Sequence, residues 1–336
     1  MKDVYILGVE SSCDETSVSI VKNGCEEIAT IVSSQMDTHA NYGGVVPEIA
    51  SRMHTESVTL VLEELLKKSS ITINEVDAIA VTYAPGLLGS LLVGIEFAKT
   101  LALVYNKPLI AVHHISGHIF ANNLVKKIEY PTLALVVSGG HTELVKMTSD
   151  YDFEVLGTTL DDAIGECFDK VARVLGLKYP GGPNIERIAK LGKCSYNLPI
   201  PMNNNELNFS YSGLKSAVIN LVHNEIQRGN EINKEDLACT FQTIAIDEII
   251  RKTELAIKKT GIKRLIVAGG VSANGFLRNK LTDMSKDLNV DLSIPPLKYC
   301  TDNATMIACA AYPQYLKNDF TDFKLNGKSQ EYFFKK

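Results

Sequence analysis

The chain has 336 residues, 45% of them hydrophobic and 22% charged, with 23 glycines and 11 prolines. That make-up gives room for two domain cores and excludes a disordered, collagen-like or coiled-coil chain. A formal charge of -5 excludes a generally basic surface, so any nucleic-acid contact must come from a local patch; seven scattered cysteines without a C-x-x-C pair point to a reduced cytoplasm.

The first ten residues reach acids at Asp3 and Glu10 too soon for a signal-peptide apolar stretch, so residues 1–10 read as a first strand with its apolar part at 4–9. A polar turn at 10–16 and renewed alternation at 17–21 make this a β-hairpin. Residues 78–95 carry no charge, but Pro85, Gly86 and Gly89 break them into a strand at 78–84, a glycine-rich loop at 85–90 and a helix at 91–104. That break excludes a membrane span.

The same grammar returns downstream. Residues 133–137, the turn 138–142 and residues 143–147 repeat the hairpin. Residues 264–268, the loop 269–275 and a helix at 276–286 repeat the strand, glycine loop and helix. The second copy is longer, which places an insertion at about residues 150–232. Residues 196–207 read as a loop, residues 234–259 as a helix, and residues 304–312 as a last helix. Alternating strands and helices with glycine turns predict an α/β protein of two duplicated lobes facing a ligand cleft, with ligands at the loops after strand ends.

The sharpest local chemistry is HISGH at 114–118. On a helix, His114 and His118 share one face and can reach one metal ion. Spacing alone leaves open an ordinary pair of surface or core histidines. A third ligand is best supplied by Asp302, in a turn before the last helix, although spacing does not force that choice. Two histidines and one carboxylate leave coordination positions open for a substrate. A zinc protease requires a glutamate directly after the first histidine, and that position holds Ile115.

The turn SGGHT at 138–142 offers backbone N–H groups to an oxyanion, although positive φ in a hairpin turn explains such glycines equally well. Asn274, in the loop 269–274, adds an amide able to read a ribose or base. Within the insertion, Asp161, Asp162, Glu166 and Asp169 read as a solvated helix face or as hydroxyl ligands. Lys170, Arg173, Lys178, Arg187, Lys190 and Lys215 give a local positive concentration that solubility also explains.

Taken in order, GVESSCDET at 8–16, GGVVPEIASR at 43–52, PGLLGS at 85–90, HISGH at 114–118 and VSGGHT at 137–142 form one series. FDK at 168–170, YPGGP at 179–183, FSYSGLK at 209–215, GGVSAN at 269–274 and TDN at 301–303 continue it. With this series the chain resembles the TsaD family, the bacterial threonylcarbamoyltransferases of tRNA modification. The resemblance implies the actin/Hsp70/sugar-kinase-like (ASKHA) fold: an N-terminal lobe at 1–125 completed by a helix at 304–325, and a C-terminal lobe at 126–300.

It implies transfer of a threonylcarbamoyl group from threonylcarbamoyl-AMP to N6 of adenine 37 in tRNAs reading codons that begin with adenine. His114, His118 and Asp302 would hold iron or zinc. Val137, Ser138, Gly139, Gly140 and His141 would line the adenylate site, and Asp169, Gly182, Glu186 and Asn274 would hold its nucleoside; family members often carry aspartate at the position of Glu186. No catalytic base is visible. The implied partners are tRNA, a TsaB-like paralogue and a TsaE-like ATPase, with residues 58–66 and 91–104 as docking surfaces or, equally, core helices. An ATPase or kinase-like protein of the same fold is the alternative; it would use the same glycine turns without needing the histidine pair.

Overall fold

The computed structural model describes Lys2 to Glu331, so Met1, at the head of the predicted first strand, lies outside the described residues. The chain divides into two compact units. One runs to Ile128 and takes up the chain again from Pro295; the other spans Glu129 to Ile294.

In the first unit, the hairpin residues form β1 (Tyr5–Glu10) and β2 (Glu15–Lys22), followed by β3 (Glu26–Ser34). A short α1 (Met36–Ala40) leads into α2 (Pro47–Ser69), which begins on a proline whose missing N–H costs nothing there. Then come β4 (Ala78–Ala84), α3 (Leu88–Val104), β5 (Leu109–His113) and α4 (His114–Phe120). The second unit contains β6 (Thr132–Val137), β7 (Thr142–Ser149) and β8 (Asp152–Thr158). The helices α5 (Ile164–Val174), α6 (Gly181–Ala189), α7 (Ser212–Gln227) and α8 (Lys234–Thr260) follow. It closes with β9 (Arg264–Ala268), α9 (Gly275–Leu288) and β10 (Asp291–Ser293), and α10 (Ala304–Leu316) returns to the first unit.

The sheets have the orders β3-β2-β1-β4-β5 and β8-β7-β6-β9-β10. In each, the first three strands are antiparallel and the rest parallel. One topology therefore occurs twice, as the repeated grammar predicts. Leu7, Val9, Ile79 and Val81 of the first sheet pack with Leu65 of α2 and Leu91 and Ile95 of α3. Its other face receives α10. A Cβ on Gly8 would lie 2.3 Å from the Ala304 carbonyl oxygen, so a glycine in mid-strand lets this helix approach the sheet.

Some boundaries depart from expectation. The last helix stops at Leu316 rather than running to 325: Lys317 and Asn318 N–H groups bond three residues back, and Asn318 turns to φ 54°. The insertion carries three helices and β8. There Asp161 accepts from the N–H groups of Tyr211 (2.7 Å) and Ser212 (3.1 Å), while Asp162 pairs with Lys170 and Lys215. The FSYSGLK motif thus anchors the start of α7. Lys190 pairs with Glu186 at 2.7 Å, so three members of the expected positive concentration are neutralised by neighbouring acids.

The cysteines also differ from the all-reduced expectation. Cys194, in the loop after α6, and Cys239 of α8 form a disulfide with Cα atoms 5.1 Å apart. Sequence separation hid the pair, because only the fold brings that loop onto α8. No helix among the described residues is long and apolar enough to cross a membrane.

Candidate active site

In the first unit, β5 passes directly into α4. His113 caps the helix, accepting at Nδ1 from the N–H of Ile115 at 3.3 Å, and the Ser116 hydroxyl donates to the His113 carbonyl at 2.6 Å. His114 and His118 then stand one turn apart, rings edge to face with centroids 4.7 Å apart. Asp302 precedes α10, whose cap Asn303 accepts from the Met306 N–H at 3.0 Å. The Asp302 Oδ1 atom lies 3.1 Å from His118 Nε2 and 3.4 Å from His114 Nε2, and one ligand atom from each of the three residues falls within 4.8 Å of the others. The three residues singled out in the sequence, 188 positions apart at the extremes (302 − 114), are brought together.

Electrostatics show what the cluster is built to hold. Burial opposes charging of His114, yet the carboxylates of Asp302 and Glu10 together hold its pKa well above the ordinary value. Burial likewise opposes ionisation of Asp302, and it is overcome by the charge of His114 and the bonds from both histidines, which keep the carboxyl far below its usual range. Around the cluster, burial and the charges of Asp302 and Asp14 push Glu15 up to about 9. Asp302 faces both imidazoles and Glu10 backs that of His114, so two ionised carboxylates favour positive charge at this cluster. The buried Nδ1 of His118 has no hydrogen-bond partner. Two imidazole nitrogens and one carboxylate fit a divalent transition metal such as iron or zinc.

The glycine turn between β6 and β7 is the centre of the second unit. The Ser138 N–H donates to the His141 carbonyl (2.8 Å), the His141 N–H to the Ser138 hydroxyl (3.1 Å), and the Gly165 N–H at the start of α5 to the Ser138 carbonyl (3.2 Å). Gly139 and Gly140 have no left-handed φ, and a Cβ on either would meet nothing within 4 Å. Neither backbone conformation nor crowding by protein requires glycine there; the space is open. Gly269, at φ 93°, brings the loop after β9 against the Val137 carbonyl.

The remaining candidates stitch neighbouring helix starts together. Asp169 accepts from the Gly181 N–H at 2.7 Å and also from that of Gly182, although burial raises its pKa. Glu186 accepts from the Gly275 N–H at 3.2 Å. The Asn274 side chain caps α9 by accepting from the Leu277 N–H (2.9 Å) and donates to Gln242 (3.0 Å), so much of its amide serves the protein itself. A Cβ on Gly182 would meet open space. The starts of α5, α6 and α9 are tied to neighbouring helices and to the turn by these bonds, which gathers three helix N-termini, an arrangement suited to an anion and its attached nucleoside.

A family profile described as TsaD, tRNA N6-adenosine threonylcarbamoyltransferase, matches residues 26–309. The chain belongs to the TsaD family. It is 52% identical over 331 residues to the Bacillus subtilis (strain 168) tRNA N6-adenosine threonylcarbamoyltransferase, covering 97% of this chain and 95% of that protein. It is 51% identical to the Listeria innocua protein of the same name, with the same shares covered. Among solved structures, T. kodakarensis HypF superposes with a TM-score of 0.65 at 13% identity, over 96% of this chain and 49% of HypF. Component A of the Acidaminococcus fermentans (R)-2-hydroxyglutaryl-CoA dehydratase gives 0.54 at 14%, over 93% and 99%. These distant likenesses carry the fold alone, the duplicated ASKHA fold that TsaD membership implies.

Sequence reasoning about this TsaD chain gave no role to two residues beside the histidines. Glu10 is fully buried and faces His114 Nδ1 at 3.3 Å, and the Ser12 hydroxyl lies 3.2 Å from the same nitrogen. Both sit in the quoted GVESSCDET motif, which was the only signal available. Of the two helices named as docking surfaces, α2 buries Val58, Val61 and Leu65 and leaves Leu60 63% exposed. On α3, Leu103 and Val104 are 68% and 67% exposed.

Proposed function

We propose that this chain transfers the threonylcarbamoyl group from threonylcarbamoyl-AMP to N6 of adenine 37 in tRNAs reading codons that begin with adenine. The observation that carries the reading is the convergence of His114, His118 and Asp302 in a chain of the TsaD family. In the transfer, the N6 lone pair attacks the carbamoyl carbon, a C–N bond forms, the C–O bond to phosphate breaks with its electron pair, and AMP leaves; the amine gives up one proton. AMP is a good leaving group, so the demand falls on positioning the donor and stabilising developing negative charge.

His114, His118 and Asp302 would hold one divalent iron or zinc ion, which when bound supplies Lewis-acid stabilisation of negative charge on the donor. The N–H groups of Gly139 and Gly140 receive the phosphate, with the open space before these two glycines giving it close approach, while the other turn N–H groups hold the turn's own shape. Asp169 and Glu186, by holding Gly181 and Gly275, set the walls of the nucleoside pocket, and Asn274 fixes the start of α9. The tRNA-directed reaction places the chain in the cytoplasm. A TsaB-like paralogue and a TsaE-like ATPase belong to the working system, and exposed Leu103 and Val104 supply an apolar surface for a protein partner.

The test uses threonylcarbamoyl-AMP and tRNA transcripts carrying adenine or guanine at position 37, with the chain and both partner proteins. Mass spectrometry should find one threonylcarbamoyl group per adenine-37 tRNA, an equal amount of AMP, and nothing on the guanine transcript. Unmodified tRNA in a mixture where the Bacillus subtilis relative works would overturn the reading.

A further inference from the structure

The carboxylate of Glu10, at the end of β1, is completely buried yet lies outside the trio of His114, His118 and Asp302. One of its oxygens accepts from the Ser12 N–H at 2.6 Å. The other accepts from the Thr82 hydroxyl of β4 at 2.6 Å and lies 3.3 Å from Nδ1 of His114. Glu10 is therefore fixed by a backbone donor from the turn after β1 and a side-chain donor from the paired strand β4 before it meets the histidine. The opposite ring nitrogen of His114, Nε2, faces Asp302.

An imidazole binds a metal through one nitrogen only when the other carries the proton, and an acceptor behind the ring decides which is which. We propose that Glu10 is a positioning residue for His114: it accepts the Nδ1–H, turns the Nε2 lone pair toward Asp302 and His118, and makes the ring a better donor to a divalent metal. This rests on the metal reading given above. The Ser12 hydroxyl, 3.2 Å from Nδ1, is a weaker neutral acceptor at the same nitrogen. Only the carboxylate adds negative charge behind the ring, and the rigid strand pair behind it holds the geometry without side-chain rearrangement.

The experiment loads purified wild type, Glu10→Gln, Ser12→Ala and His114→Ala with Co2+, then follows metal release to excess chelator and the cobalt absorption spectrum. Melting of each metal-free protein is recorded alongside. Wild type should retain one ion and His114→Ala none. Glu10→Gln, of equal size, should release metal about 10- to 100-fold faster with an altered cobalt spectrum and a metal-free melting temperature close to wild type. Ser12→Ala should change release by less. Failure of wild type to hold metal, or retention by His114→Ala, would overturn the metal reading itself. Normal retention in Glu10→Gln beside loss in His114→Ala would overturn the role of Glu10 alone, as would faster release explained by an equal loss of metal-free stability.

Discussion

At the residue scale, Gly139 and Gly140 separate folding from binding. Because a Cβ at either would meet open space and neither has a left-handed φ, Gly139→Val should leave unfolding free energy within about 0.5 kcal/mol of wild type, the range of an ordinary surface change. The same side chain would fill the space assigned to the donor, so calorimetric titration should show affinity for AMP weakened by about tenfold or more, roughly 1.4 kcal/mol. Unchanged affinity would move the adenylate elsewhere. Glu143 supplies a pH prediction. Burial pushes its carboxyl up to about 7, with one oxygen unpartnered, against an ordinary value of 4.5. Its stabilising protonated form is fully available below the lower value and is lost as pH rises through 7. Urea unfolding between pH 5 and 8 should show a loss on the order of 2 kcal/mol in wild type that Glu143→Gln lacks.

What could be read residue by residue follows from range. His114 and His118 were legible because helical spacing alone puts them together. Asp302 needed the return of α10 to the first sheet, which a sequence suggests but does not force. Glu10 was invisible as a partner of His114, because its meaning depends on which strand end adjoins which helix start. Asn274 was legible as an amide able to contact a ribose or base, but its cap on α9 and its bond to Gln242 depend on which helices meet there and were not.

At the element scale, α10 links stability to the metal site. Asn303 caps it and directly follows Asp302, so Asn303→Ala should cost about 1 kcal/mol of unfolding free energy and also loosen metal retention. A stability loss with unchanged retention would show that the cap does not set Asp302. Gly8→Ala should do more damage, because its Cβ would approach the Ala304 oxygen to 2.3 Å; a loss of about 2 kcal/mol or more is expected in urea unfolding. The main hairpins and helices were legible from apolar period and glycine punctuation. The strand β3 was not, since its burial alternates irregularly and it opens on two glutamates at the sheet edge. The helix α7 was hidden in a region read as insertion, where the cap supplied by Asp161 comes from 50 residues upstream of Tyr211.

At the scale of the whole molecule, the repeated strand order accounts for why one chain carries two different chemical surfaces. After the corresponding hairpins and parallel strands, the first unit uses its loops and helix starts for histidines and carboxylates. The second uses them for glycine turns and helix N-termini. The duplication was legible because both copies keep the same punctuation; the disulfide was not, because it joins a loop and a helix 45 residues apart. Under non-reducing conditions Cys194→Ser should lower unfolding free energy by roughly 2–4 kcal/mol, and with a strong reductant it should match wild type. Equal stability in both buffers would show that the bond does not form in solution.

The central claim is that the His114, His118 and Asp302 cluster serves threonylcarbamoyl transfer, and the most direct measurement pairs metal content with product in one preparation. Wild type and the His114→Ala/His118→Ala double variant would be assayed with threonylcarbamoyl-AMP, tRNA and the partner proteins, quantifying bound metal and modified adenosine by mass spectrometry. The account predicts about one metal ion and full modification for wild type, with both lost in a variant that still folds. Normal modification by a folded, metal-free double variant would contradict it.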